Sequence, residues 1–129
     1  MSWYDGVGYG SFVRVESRKD SSVLYELRVY DVIPGKLAAL NERFEKITNA
    51  YFEKYGIKVI GYWTDDVGTN NRLTYMLAYE DAGQRQKSRA AFAADQERLA
   101  KFAETERDGP LVAKITNTLL VPTSYSPMK

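Results

Sequence analysis

Two aromatic-rich apolar runs separated by a turn segment lie between two long amphipathic helical patterns, and this restricts the fold more than any other feature of the chain. The runs are GIKVIGYW (56–63) and RLTYMLAYED (72–81); TDDVGTNN (64–71) between them carries the Gly, Asp and Asn residues that reverse a backbone. A hairpin is therefore predicted here. With one strand before the first helical pattern and one after the second, the order becomes β-α-β-β-α-β. That is the split βαβ, or ferredoxin-like, plan, an α+β fold built on a four-stranded antiparallel sheet. The plan fixes an architecture and leaves the chemistry open.

The first strand is VLYELRVYD (23–31), with Leu24, Glu26, Arg28 and Tyr30 on one face and Tyr25, Leu27 and Val29 on the other. Pro34-Gly35 follows, and Pro34 suits the first turn of a helix, where its missing N–H is not needed. Leu37, Leu40, Phe44, Ile47 and Tyr51 then recur at three- and four-residue steps, a helical stripe ended by Gly56. The second helical region runs from about Ala82 to Arg107. Asp95 falls on its apolar side beside Phe92 and Leu99, which predicts a break there, with Asp95 capping a second segment. Strands over about 57–64, 72–80 and 111–123 complete the sheet. Met76, Ala78 and the last strand place apolar residues on both faces, whereas an antiparallel sheet with one face in water alternates apolar and polar. Two helices cover only one face, so a sheet-to-sheet homodimer is expected.

Composition removes whole classes of chemistry. The 129 residues contain no Cys and no His. Thiolate nucleophiles, Cys-ligated zinc, iron–sulfur clusters, a His-ligated haem and a Ser-His-Asp triad are thus beyond this chain alone. Lys plus Arg number 18 against 17 Asp plus Glu, so no basic field exists to gather nucleic acid. No apolar run approaches the roughly 20 residues of a membrane span. Residues 1–22 lack a continuous apolar stretch and carry Asp5, Glu16 and Asp20. They read as a loose N-terminal arm, with FVRVE (12–16) as a short extra strand, before a domain over 23–127. A cytoplasmic protein is expected.

The candidate binding residues are Arg28, Trp63, Tyr75 and Arg85. Glu26 and Arg28 share a face of the first strand, and Asp81 and Arg85 open the second helix. Either guanidinium could grip a carboxylate through two parallel N–H donors; ion pairs that fix strand register use the same residues. Trp63 and Tyr75 lie on strands joined by one hairpin and could line a cleft for an apolar or aromatic ligand, although strand aromatics also fill cores. Asp65, Asp66, Asn70 and Asn71 supply oxygen donors without the spacing of a calcium loop, so they read as a turn and no metal is expected. GVGYG (6–10) lacks both phosphate-loop patterns. No cofactor is expected, and no catalytic residue can be assigned.

The blocks YELRVY followed by PGK, then YGI, GYW, YMLAYED with Arg85, AAFAAD, and DGPLVAKITNTLL with PTSYSP resemble the NIPSNAP family in order, over roughly residues 23–127. The resemblance implies a dimeric α+β barrel, in which two ferredoxin-like units join their sheets. Family members often carry Pro after the Asp of the AAFAAD block and an aromatic shortly beyond, where this chain has Gln96 and Arg98. If that Pro opens the second helical segment, its loss implies a softer boundary that Asp95 can still cap, and if the aromatic lines a pocket, Arg98 implies a more polar one. Mammalian relatives are associated with mitochondria, a location that transfers poorly to a chain with these first 22 residues. Three functions fit: a ligand-binding or interaction module, a cofactor-free monooxygenase- or isomerase-like enzyme on an apolar or aromatic small molecule, and a structural dimer. The first is preferred because no catalytic constellation stands out.

Overall fold

In a computed structural model the described residues are 23–129, so the arm and its FVRVE segment lie outside them. The alternating residues of VLYELRVYD form β1 (Leu24–Val32), which is the axis of the domain. The chain continues through α1 (Leu37–Arg43), a π-helical turn (Phe44–Thr48), α2 (Asn49–Lys54), β2 (Lys58–Thr64), β3 (Arg72–Tyr79), α3 (Ala82–Ala94), α4 (Gln96–Thr105) and β4 (Val112–Leu120). The strands form one antiparallel sheet in the order β2-β3-β1-β4, the ferredoxin-like arrangement. Among the described residues no helix is long and apolar enough to cross a membrane.

The connections follow local chemistry, with one departure from expectation. Pro34 does not open a helix. Lys36 N–H donates to the Ile33 carbonyl at 2.9 Å and Gly35 has φ +87°, so Ile33–Lys36 is a type II turn with Pro and Gly at its two central positions. At the other end of this helical stretch Gly56 has φ +71°, and Ile57 N–H returns to the Phe52 carbonyl at 2.8 Å, which is a Schellman closure. Asp81 caps α3 by accepting from Gln84 N–H, and Asp95 divides α3 from α4 by accepting from Arg98 N–H. Gln96 in place of Pro therefore leaves the boundary sharp, because the Asp95 cap alone ends one helix and starts the next.

The helices pack on the face that carries Tyr30, Leu73, Tyr75, Leu77 and Tyr79. Leu40 and Leu77 are fully buried there, and Phe44 lies 5.0 Å from the Tyr75 ring and 5.3 Å from Tyr62, edge-on or tilted as aromatic quadrupoles prefer. The first helical stretch is not uniformly α-helical. The π turn at Phe44–Thr48 shifts the phase of its stripe, so that Phe44, Thr48, Tyr51 and Phe52 are all buried, with Ile47 only partly so. Arg43 Nε and Thr48 Oγ1, which flank or belong to this turn, are buried without a hydrogen-bond partner among the described residues.

Candidate functional site

The centre of the helix-covered sheet face is polar. Arg28 and Tyr75 are directly opposed in the β1–β3 register, and Arg28 Nε donates to the Tyr75 hydroxyl at 2.7 Å. Nη1 of the same guanidinium donates to Glu26 Oε2 at 3.0 Å, and Nη2 reaches the Tyr30 hydroxyl at 3.4 Å. The Tyr30 and Tyr75 hydroxyls are 2.8 Å apart. Glu26 has no exposed surface, and it accepts from Tyr79 at 2.8 Å and from Arg85 Nε and Nη2 at 3.2 and 2.9 Å. The two-pronged Arg85 contact reaches across from the first turn of α3, so the cluster ties the helix layer to the sheet.

This network sets the charge states. Burial alone would raise the Glu26 pKa; hydrogen bonds from Arg85, Tyr79 and Asn117 and the charge of Arg28 outweigh it and bring it down to about 2. Burial opposes the charge of Arg28 too, but the Tyr75 and Tyr30 hydroxyls and Glu26 hold it protonated. Desolvation drives Tyr75 and Tyr79 well above the ordinary phenol range. The cluster therefore holds one carboxylate, two guanidiniums and neutral phenols near neutral pH.

The network is closed at its centre and open at one side. In the β1–β4 register Tyr30, Arg28 and Glu26 oppose Ile115, Asn117 and Leu119, which must share the helix-facing side. Yet Ile115 is 45% and Leu119 48% exposed, because the helices stop short of β4. The side chain of Asn117 sits against Glu26 between these two aliphatic residues. Arg85 lines the same opening, with a quarter of its side chain exposed.

Three of the four residues expected to line a pocket meet here: Arg28, Tyr75 and Arg85. Trp63 does not. The β2–β3 register slips between Val59 and Gly61, leaving Ile60 as an extra residue. A bulge of one residue inverts every side chain beyond it. Tyr62 thus opposes Tyr75, whereas Trp63 opposes Thr74 on the far face, half-exposed. Arg98 likewise does not make a pocket more polar. It is buried, its guanidinium carbon 4.5 and 4.6 Å from the Phe92 and Phe102 ring centroids, and its Nε donates to the Phe92 carbonyl at the end of α3. Glu26 and Tyr30 were legible as same-face neighbours of Arg28; Asn117 and the opening beside it carried no comparable signal.

Elsewhere a shallow cleft of about 260 Å³ lies on the outer helix surface, lined by residues including Lys46, Tyr51, Lys54, Glu97 and Lys101. None of the four expected residues reaches it. Asp65 is occupied within its turn by Thr69 N–H and Arg72, and no cluster of three or more acidic residues suited to a metal exists among the described residues.

An α+β domain with a ferredoxin-like sheet and a buried Arg–Glu–Tyr cluster under its helices is the class so defined. Residues 25–127 match the NIPSNAP family model, and the chain belongs to the NIPSNAP family. It is 33% identical over 106 residues to human protein NipSnap homolog 3B; the match covers 82% of this chain and 42% of that protein, so the chain spans less than half the length of this relative. Among solved structures, a NIPSNAP-like domain protein from Burkholderia xenovorans superposes with a TM-score of 0.74 at 28% identity, covering 83% of this chain and 90% of that one. SnoaB, a cofactor-independent oxygenase from Streptomyces nogalater, shares the fold with a TM-score of 0.56 at 15% identity, covering 82% and 98%.

Proposed function

We propose that the chain is a small-ligand-binding module that works as a homodimer, in the cytoplasm as its sequence suggests, and takes an apolar or aromatic molecule at the open side of the Arg28–Glu26 cluster. One observation carries this reading: the polar network ends at a strand whose helix-facing Ile115 and Leu119 are bare, so apolar walls flank a few fixed polar groups. That combination is the usual composition of a ligand site. The homodimer is supported by the opposite sheet face, where Leu27, Val29, Met76 and Trp63 lie away from the helices and are partly or half exposed.

A thermal-shift screen of the purified chain against aromatic acids, quinones and acyl lactones tests the ligand reading. Binding to the native state raises the melting temperature with concentration, by an amount set by the ratio of ligand to Kd. No concentration-dependent rise with any of the three classes at millimolar ligand would remove the reading.

The alternative is a cofactor-free monooxygenase- or isomerase-like activity. The fold shared with SnoaB and the Arg28–Tyr75–Tyr30 hydrogen bonds speak for it. The charge states speak against it as an acid–base device: a general base works best with a pKa near the operating pH, and Glu26 sits far below. A phenol raised as far as Tyr75 stays protonated at neutral pH and so offers no base there either. The cluster is better built to hold charge than to move protons.

A further inference from the structure

Two guanidiniums pair with the one carboxylate of the cluster, and a third lies one helical turn away. Arg28 and Arg85 both pair with Glu26. Arg89 lies one helical turn beyond Arg85 on the same face of α3. It is partly buried, it stands over the Phe92 ring at 5.4 Å, and its charge acts on both Tyr75 and Tyr79, which places it at the cluster. Among the described residues no carboxylate forms an ion pair with Arg89. Three positive groups against one negative leave an excess of two positive charges in a region walled by Phe92, Tyr79 and the sheet.

Such an excess is costly to desolvate unless an anion joins it. Arg28 cannot be the outer contact, since it is more than nine-tenths buried and held by Glu26, Tyr75 and Tyr30. It supplies fixed charge from behind. Arg85 is a quarter exposed, with Nη1 not engaged by Glu26, and Arg89, four residues on along α3, is partly exposed. Beside the cluster the Asn117 amide adds a neutral polar group, and Ile115 and Leu119 add apolar wall. Planar guanidiniums match a carboxylate better than any other protein cation does.

We infer that the ligand of this site is an organic acid, its carboxylate bound between Arg85 and Arg89 and its apolar body laid along Ile115 and Leu119 of β4. This rests on the ligand-binding reading above and names the chemical class that reading leaves open. It also assigns a role to Arg89.

The test compares 2-naphthylacetate with its neutral isostere 2-naphthylacetamide by titration calorimetry, on the wild-type chain and on Arg89→Gln. Arg89 carries no ion pair among the described residues, so this variant should keep its melting temperature, which is measured alongside. The acid should bind at least about tenfold more tightly than the amide, and Arg89→Gln should abolish that preference by weakening the acid to the level of the amide. Equal binding of acid and amide by the wild type would overturn the acid inference and leave the pocket reading standing. Binding of neither would overturn both. An acid preference lost in Lys101→Gln rather than Arg89→Gln would move the anion to the outer lysine-lined cleft and likewise overturn the assignment. Should Arg89→Gln melt early, shifts of the Arg85 and Arg89 Nε–H NMR signals on adding the acid to wild type decide the matter; no shift in either overturns it.

Discussion

At the residue scale, Glu26 is the side chain on which most others depend. It is wholly buried, accepts from Tyr79, Arg28 and Arg85, and has a folded pKa of about 2 against an ordinary 4.5. A carboxyl whose pKa falls on folding stabilises the fold fully above its unfolded pKa, and that contribution is lost as pH falls through the folded value. Melting temperature should therefore hold steady down to about pH 5 and drop between about pH 4.5 and pH 2, with up to about 3 kcal/mol at stake. Glu26→Gln should flatten that limb of the profile and destabilise at pH 7 by about 3–5 kcal/mol, because it leaves Arg28 buried without its counter-charge. Urea denaturation followed by circular dichroism across pH reads both effects. Tyr75→Phe is the milder companion. It removes the hydroxyl that accepts from Arg28 Nε and should cost about 1–3 kcal/mol at unchanged denaturant slope, the penalty of one unsatisfied buried donor. A loss near zero would mean that the Arg28–Tyr75 bond does not form in solution.

At the element scale, the joint between α3 and α4 is one residue wide. Asp95 caps α4 through Arg98 N–H, receives the Tyr55 hydroxyl, and pairs with Lys54 at 3.1 Å, so it fastens two helices to the end of α2. Its pKa is held well below the carboxylate range, chiefly by the Tyr55 hydrogen bond. Asp95→Ala should lower the melting temperature by roughly 5 °C. This joint was legible in sequence because an acid on an apolar helical stripe conflicts with an unbroken helix, and capping resolves the conflict. The strand order was legible for a similar reason: the hairpin and the two helical stripes have different periods. Two elements were not. The π turn at Phe44–Thr48 shifts the phase of its helix, but Leu40, Phe44, Ile47 and Tyr51 keep the three- and four-residue spacing of an unbroken α-helix, so nothing in the sequence marks it. The bulge in β2 was invisible because a run of Val, Ile, Gly, Tyr and Trp has apolar residues at every position, so alternation cannot fix its phase. Strict pairing from Val59 would have put Gly61 opposite Tyr75 and Trp63 opposite Leu73 on the helix-covered face; the extra Ile60 puts Tyr62 opposite Tyr75 and turns Trp63 to the far face. Deleting Ile60 should accordingly preserve which residues face the helices and cost only a few degrees of melting temperature. If β2 alternated strictly from Val59, Trp63 would lie in the core, and the same deletion would push it out and drive Tyr62 in. A collapse of the fold, or a red shift of Trp63 emission in a Trp3→Phe background, would contradict the bulge.

At the scale of the whole molecule, the two faces of the sheet need different solutions. The helix-facing side uses Leu40, Phe44, Phe52 and Phe92 as its cover, and only β4 is left beyond their reach. On the other side Val29, Thr74, Met76 and Trp63 are consecutive neighbours across three strands, partly or half exposed, while Tyr25 and Ala78 of the same face are buried. Thr116 and Thr118 of β4 continue the same surface. A surface of this kind on a chain of 129 residues is a poor match to water, because apolar area left exposed forgoes about 25 cal/mol for each Å² that could be buried. The proposed homodimer buries it against a second copy of itself through a two-fold axis, so that every residue meets its symmetry equivalent or a near neighbour. One charged side chain near the middle should then be felt twice, once from each subunit. Trp63→Glu and Met76→Glu are the discriminating variants, since both residues face away from the helix-covered core and neither joins the Arg28 cluster. Light scattering on the wild type should return twice the 14.7 kDa chain mass at micromolar concentration, and either variant should shift the population toward the single chain mass while retaining the circular dichroism of a folded domain. A wild type that stays at the single mass up to about 100 μM would remove the homodimer, since an interface of standard size should associate well below that concentration.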